Sequence, residues 1–102
     1  MRMKIAYLIL IAFSISACSK SNLDYEVLSS QELNCPEGWR AEYGDWGEKG
    51  LMYYCQMKNG PVIIAEYGHI AIKGQYKMGK EIGLWQWFDK NGNVTRSEYY
   101  AE

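Results

Sequence analysis

Apolar and polar positions follow three different rhythms along this chain. Residues 5–13 form an uninterrupted apolar run preceded by Arg2 and Lys4. Residues 19–34 are polar, rich in Ser, Asn and acids, with Leu23, Tyr25, Val27 and Leu28 scattered among them. Beyond Cys35, short runs rich in aromatic and β-branched residues alternate with glycines, at 51–57, 62–67, 69–73, 84–89 and 94–100. Strand-length runs bounded by glycine predict an all-β fold, an antiparallel β-meander of hairpins. Asn59-Gly60 and Asn91-Gly92 each lie between two runs. They predict two-residue hairpin turns, because this dipeptide readily takes positive φ. Alternation within 84–89 puts Trp85 and Trp87 on one face and Leu84, Gln86 and Phe88 on the other. The polar segment reads as a flexible tether. Ser29-Ser30-Gln31-Glu32 has the form of a helical capping box, but Pro36 leaves room for little more than a turn.

The apolar run is too short to cross a bilayer, which takes roughly 20 apolar residues in a helix. A basic start, a short apolar run and small residues before a break are instead the parts of an export signal. The break itself, Ile15-Ser16-Ala17-Cys18, resembles the lipobox of bacterial lipoproteins, with Ile where Leu is commoner. The resemblance implies cleavage before Cys18, a diacylglyceryl group on its sulfur and an acyl chain such as palmitate on its amine. Two or more such chains give stable anchoring where one does not. The expected organisation is a signal peptide at 1–17, a lipidated tether at 18–34 and a β domain at 35–102. Ser19, in place of Asp, is similar to the sorting pattern of outer-membrane lipoproteins. The expected location is therefore the bacterial cell membrane, or the outer membrane facing the periplasm in a Gram-negative host.

The β domain repeats internally. Tyr43, Gly50, Leu51 and Tyr54 recur 33 residues later as Tyr76, Gly83, Leu84 and Trp87. Lys58-Asn59-Gly60, Val62 and Glu66-Tyr67 recur 32 residues later as Lys90-Asn91-Gly92, Val94 and Glu98-Tyr99. Two copies, at about 41–67 and 74–100, predict units that stack because neither can bury its apolar face alone. The second copy carries Gly74-Gln75-Tyr76, Gly79-Lys80, Gly83-Leu84-Trp85, Phe88-Asp89 and Asn91-Gly92. In this it resembles a MORN repeat of the bacterial variant type. The first copy matches more loosely, with Met52 in the place of Trp85. The resemblance implies a hairpin array with aromatic stacking between repeats, used as a scaffold or binding surface, in bacteria including antitoxin-like and immunity-like proteins.

Composition narrows the function classes. Lys and Arg number 11 against 12 Asp and Glu, so the broad basic footprint of a nucleic-acid binder is missing. Of three cysteines, lipidation would take Cys18 and leave the pair Cys35 and Cys55. In an exported chain an even remainder points to a disulfide, two free thiols being the alternative. With one histidine, His69, the cysteines fall short of a structural zinc set, and neither metal nor cofactor is expected. His69 has no evident nucleophile to serve. Glu66 and Glu98 sit at equivalent repeat positions, which suits solvent-facing acids beside tyrosines better than a glycosidase pair. No catalytic residue is expected. The aromatic content of 15% is the one excess, serving either stacking between thin repeats or an exposed platform. Trp85, Trp87, Tyr76, Tyr67 and Tyr99 are the candidate binding surface. The expected function is a non-enzymatic, membrane-anchored module that binds an envelope protein partner, with an immunity- or antitoxin-like role, implied by the MORN resemblance, as its more specific form. The rival is a binder of envelope glycans through exposed Trp and Tyr.

Overall fold

The structure, a computed structural model, describes residues 20–102, with side chains from Leu23 onward. The expected signal segment 1–17 and the lipidation site Cys18 lie outside the described residues. A helix, α1 (Lys20–Ser29), precedes strands β1 (Ala41–Trp46), β2 (Gly50–Cys55), β3 (Gly60–Glu66), β4 (His69–Lys77), β5 (Lys80–Phe88) and β6 (Val94–Tyr100). The strands form one antiparallel sheet in the order β1-β2-β3-β4-β5-β6. The all-β meander expected from the glycine-bounded runs is the fold.

The tight turns fall elsewhere than expected. Two-residue turns with both central residues at positive φ occur at Tyr67-Gly68 (53° and 82°) and Met78-Gly79 (50° and 85°). Asn59 is instead extended (φ −129°) and follows the short 3-10 turn Gln56–Lys58, while Gly60, at φ +130°, opens β3. The Asn91-Gly92 connection is a wider loop. Gly92 N–H donates to the Asp89 carbonyl at 3.0 Å, and Asp89 N–H to the Asn93 carbonyl at 2.9 Å. Asp89 Oδ1 also accepts the N–H groups of Asn91 and Asn93, each at 2.9 Å. The carboxylate thus organises the loop in which Asn-Gly was expected to suffice.

Residues 20–29, expected as tether, form α1 and dock on the sheet. Leu28 is buried and packs with Val27 and Leu33 on Ile63, Ala65, Leu51, Tyr53 and Ile70. Asp24, one helical turn before Leu28 and so on the same stripe, is 0% exposed. Its Oδ1 accepts the Gly68 N–H at 2.7 Å. A carboxylate in the buried stripe breaks the apolar periodicity, which is why the segment reads as linker. The expected capping box lies at the other end of the helix. Ser29 and Ser30 hydroxyls donate to the carbonyls of Glu26 and Val27, at 3.1 and 2.7 Å, and close its C-terminus.

The opposite face carries Met52, Val62, Ile64, Ile72, Tyr76 and Trp85, with Trp46, Tyr54, Trp87 and Tyr100 half-buried around them. Trp85 is the centre of this face. The β4–β5 ladder runs Lys73 to Gln86, then resumes at Gln75 to Ile82, leaving Gly74 opposite a stretch of β5 that bows away. The indole fills the interruption. A Cβ on Gly74 would lie 2.2 Å from the Trp85 ring. The indole N–H reaches the carbonyls of Gln75 and Ile82 at 3.2 and 3.1 Å, supplying a donor where the ladder is broken. Tyr76 and Tyr100 meet this ring edge-on, at 5.2 and 6.3 Å between centroids.

At the far end of the sheet the Cys35 and Cys55 sulfurs are bonded at 2.06 Å, fastening the segment after α1 to the end of β2. Gly60 packs against this bridge; a Cβ there would meet Pro36 Cδ at 2.9 Å and Cys55 Sγ at 3.0 Å. The two sequence copies fall on consecutive three-strand units, but their registers differ. Gly50 pairs with Glu66, whereas Gly83 pairs with Tyr100 rather than Glu98.

Reduction of the bridge should cost about 3 kcal/mol, read as a fall in Tm of on the order of 10–20 °C with reductant. Trp85→Ala should cost at least about 3 kcal/mol and Gly74→Ala about 2–3 kcal/mol through overpacking. Chemical denaturation of the three forms measures each loss.

Candidate functional site: the exposed rings and the β5–β6 face

The five candidate rings do not form one surface. Trp85, at 2% exposure, and Tyr76 belong to the core. Burial pushes the Tyr76 phenol up, with the nearby Glu81 carboxylate adding to the shift. Neither ring is open to a ligand, so the expected platform is corrected at these two positions. Parity had paired Trp85 with Trp87, and they do share a face. Depth separates them, because Trp85 sits over Gly74 at the broken ladder and Trp87 lies nearer the sheet margin.

Trp87 is half-buried in the same cluster, and the Arg96 guanidinium lies 4.2 Å from its ring centroid. The stacking is a cation–π contact between directly paired residues of β5 and β6. Arg96 also ion-pairs with Glu98, which accepts the Tyr100 hydroxyl at 3.0 Å. The Arg96 hydrogen bond, then that of Tyr100, holds the Glu98 carboxyl below the usual range, and the same Glu98 bond raises the Tyr100 phenol. Glu66 instead accepts the Trp46 indole N–H at 3.0 Å. The repeat-equivalent acids are therefore each engaged, in different local bonds.

Tyr99 and Tyr67 are exposed, at 75% and 56%, but stand apart. Tyr67 occupies the β3–β4 turn, and Tyr99 pairs with Leu84 across β5 and β6. Leu84 is also exposed. Alternation places both on the face that carries α1, yet α1 packs on β2, β3 and β4 and leaves this end bare. Leu84 was placed opposite the tryptophans by the sequence pattern; its exposure follows from the short reach of α1, which the pattern did not reveal.

Two open hollows lie at the end of the sheet closed by the Tyr67-Gly68 turn. One, of about 380 Å³, is lined by Val27, His69, Lys73, Phe88 and the 89–92 loop. Lys73 Nζ lies 5.8 Å from the Phe88 centroid. The other, of about 560 Å³, includes Trp46, Glu48, Lys49 and Glu66. Among the described residues no group of three or more His, Cys, Asp or Glu could hold a metal ion. Compared with known protein families, curated proteins and solved structures, the chain finds no match.

Asp89 gives the β5–β6 hairpin a pH dependence. The Asn93 backbone N–H first, then the other loop donors, hold its carboxyl below the usual range. A depressed folded value means the contribution is complete at neutral pH. It is lost as pH falls below the ordinary aspartate value, about 3.9, and through the folded one. The Asn91 and Asn93 amide resonances should titrate with a midpoint below that value, and Asp89→Asn should abolish the step. Tyr99→Ala should change stability by no more than about 0.5 kcal/mol, measured by denaturation beside Trp85→Ala.

Proposed function

We propose that this chain is a membrane-anchored bacterial envelope lipoprotein whose β domain is a non-enzymatic protein-binding module. The anchor rests on the Ile15-Ser16-Ala17-Cys18 pattern and its placement after a basic, apolar start. The MORN-like character rests on the second-copy motif, and an immunity- or antitoxin-like role is its more specific form. The binding reading rests chiefly on Leu84 and Tyr99, a paired, exposed apolar–aromatic couple on the last two strands. Such a couple offers a partner large apolar area together with a polar tip. Beside it, β6 ends the strand order and is open along its outer edge among the described residues. An extended segment of a partner can pair there with backbone groups while its side chains meet Tyr99.

A protein fits this surface better than a glycan. Sugar stacking needs a free ring face, and Trp85 is buried while Arg96 lies over Trp87. Of the candidate rings on β5 and β6, Tyr99 is the one left open, and a single ring makes a narrow platform.

A photo-crosslinking residue at position 99, in the full chain in living cells, should yield a discrete protein adduct. Leu84→Asp should reduce that adduct several-fold while leaving Tm within a few degrees. An adduct that survives Leu84→Asp, or none at position 99, overturns the proposal. Titration with peptidoglycan fragments should leave tryptophan emission unchanged; a saturable shift would favour the glycan reading.

A further inference from the structure

The docking of α1 changes where the domain sits. A lipid on Cys18 followed by a slack segment to residue 34 would let the domain wander well away from the bilayer. The helix removes that slack from Lys20 onward. Cys18 is two residue steps from Lys20, with Ser19 between, and two steps span at most about 7 Å when extended. Four more helical residues, rising about 1.5 Å each, reach Asp24, which holds the Gly68 N–H at 2.7 Å. Chain length alone therefore limits the separation of the Cys18 and Asp24 Cα atoms to roughly 13 Å.

This end of the sheet is defined by register. Trp46 pairs with Gly50, Gly50 with Glu66, and Glu66 with His69, while Phe88 and Val94 close the β5–β6 connection alongside. The connections at 47–49, 67–68 and 89–93 thus share one end. Leu23, 53% exposed, lies against Gly68, and Tyr67 is exposed in the same turn. A leucine and a tyrosine beside an anchor suit the boundary between headgroups and acyl chains. The charges at this end are mixed, with Lys49 and Lys90 against Glu48 and Asp89. Contact here would therefore rely on proximity and apolar insertion more than on anionic lipid.

We infer that the end of the sheet bearing the Tyr67-Gly68 turn rests on the lipid surface, with Leu23 and Tyr67 at the contact and the Asp24–Gly68 hydrogen bond fixing the orientation. The inference rests on acylation of Cys18. It deepens the lipoprotein reading by replacing a tethered domain with a seated one. The Met78-Gly79 turn then points away from the bilayer, about 30 Å from position 67 along the nine residues of β4.

Those two turns supply a matched comparison. Tyr67 and Met78 are both exposed and both open a two-residue turn at positive φ. A small fluorescent amino acid would be placed at 67 or at 78 in the full chain, matured in bacteria. The purified protein would be inserted into phosphatidylethanolamine/phosphatidylglycerol vesicles carrying headgroup-quencher lipids. Mass spectrometry of the N-terminal peptide establishes separately whether Cys18 is acylated. With acylated protein, quenching at 67 should exceed that at 78 several-fold. Equal quenching with Cys18 acylated overturns the seated orientation and leaves the lipoprotein reading standing. An unacylated Cys18 overturns both.

Discussion

Trp85 lying flat on Gly74 is the contact on which the aromatic half of this protein depends. A sheet of paired neighbours needs something to bury its second face, and among the described residues no helix covers it. The indole does so from within, crossing from β5 onto β4 where the ladder is interrupted. Its N–H serves two carbonyls at the break, and its edges receive Tyr76 and Tyr100. The glycine is required because any side chain would occupy the ring's place. Gly74 and Trp85 are thus one device written at two positions of the sequence.

The first three strands are fastened differently. Met52 takes the position equivalent to Trp85, and Gly50 lies so close to β3 that a Cβ would fall 2.0 Å from the Ala65 carbonyl oxygen. Stability there comes from the Cys35–Cys55 bridge and from α1, whose Tyr25 extends the stack of Tyr43 on Tyr53. Burial, with Tyr53 and Tyr25 nearby, raises the Tyr43 phenol. One half is closed by a covalent staple and a helix, the other by a tryptophan. Divergence of the two copies follows from this division, since each needs only the residues its own fastening demands.

The strand pattern was legible where aromatic and β-branched residues cluster, as in β2, β3, β5 and β6. β1, with Tyr43 and Trp46 among Ala, Gly and acids, carries little such signal by itself, and β4 extends through Gly74 beyond the run that marked it. Turn chemistry was legible only in part. Asn59-Gly60 has the composition of a tight hairpin, but Gly60 is needed beside Pro36 and the disulfide. Met78-Gly79 makes the tighter turn without any conspicuous dipeptide. The helix was hidden by Asp24, because a carboxylate in the core stripe is meaningful only once Gly68 is there to meet it. For the candidate surface, alternation assigned faces correctly around Trp85 but contained no measure of depth. Depth depends on the bowing of β5 and the length of α1, both products of tertiary packing.

The neighbour-to-neighbour strand order has a kinetic consequence. Each strand finds its partner across a short connection, so little chain must be searched before pairing begins. The Cys35–Cys55 bond joins positions 20 residues apart, and oxidation is slow beside hairpin formation. Pairing can therefore bring the two thiols together before they are oxidised. Covalent closure then records an arrangement already found, and chemistry rather than topology sets the pace of the last step.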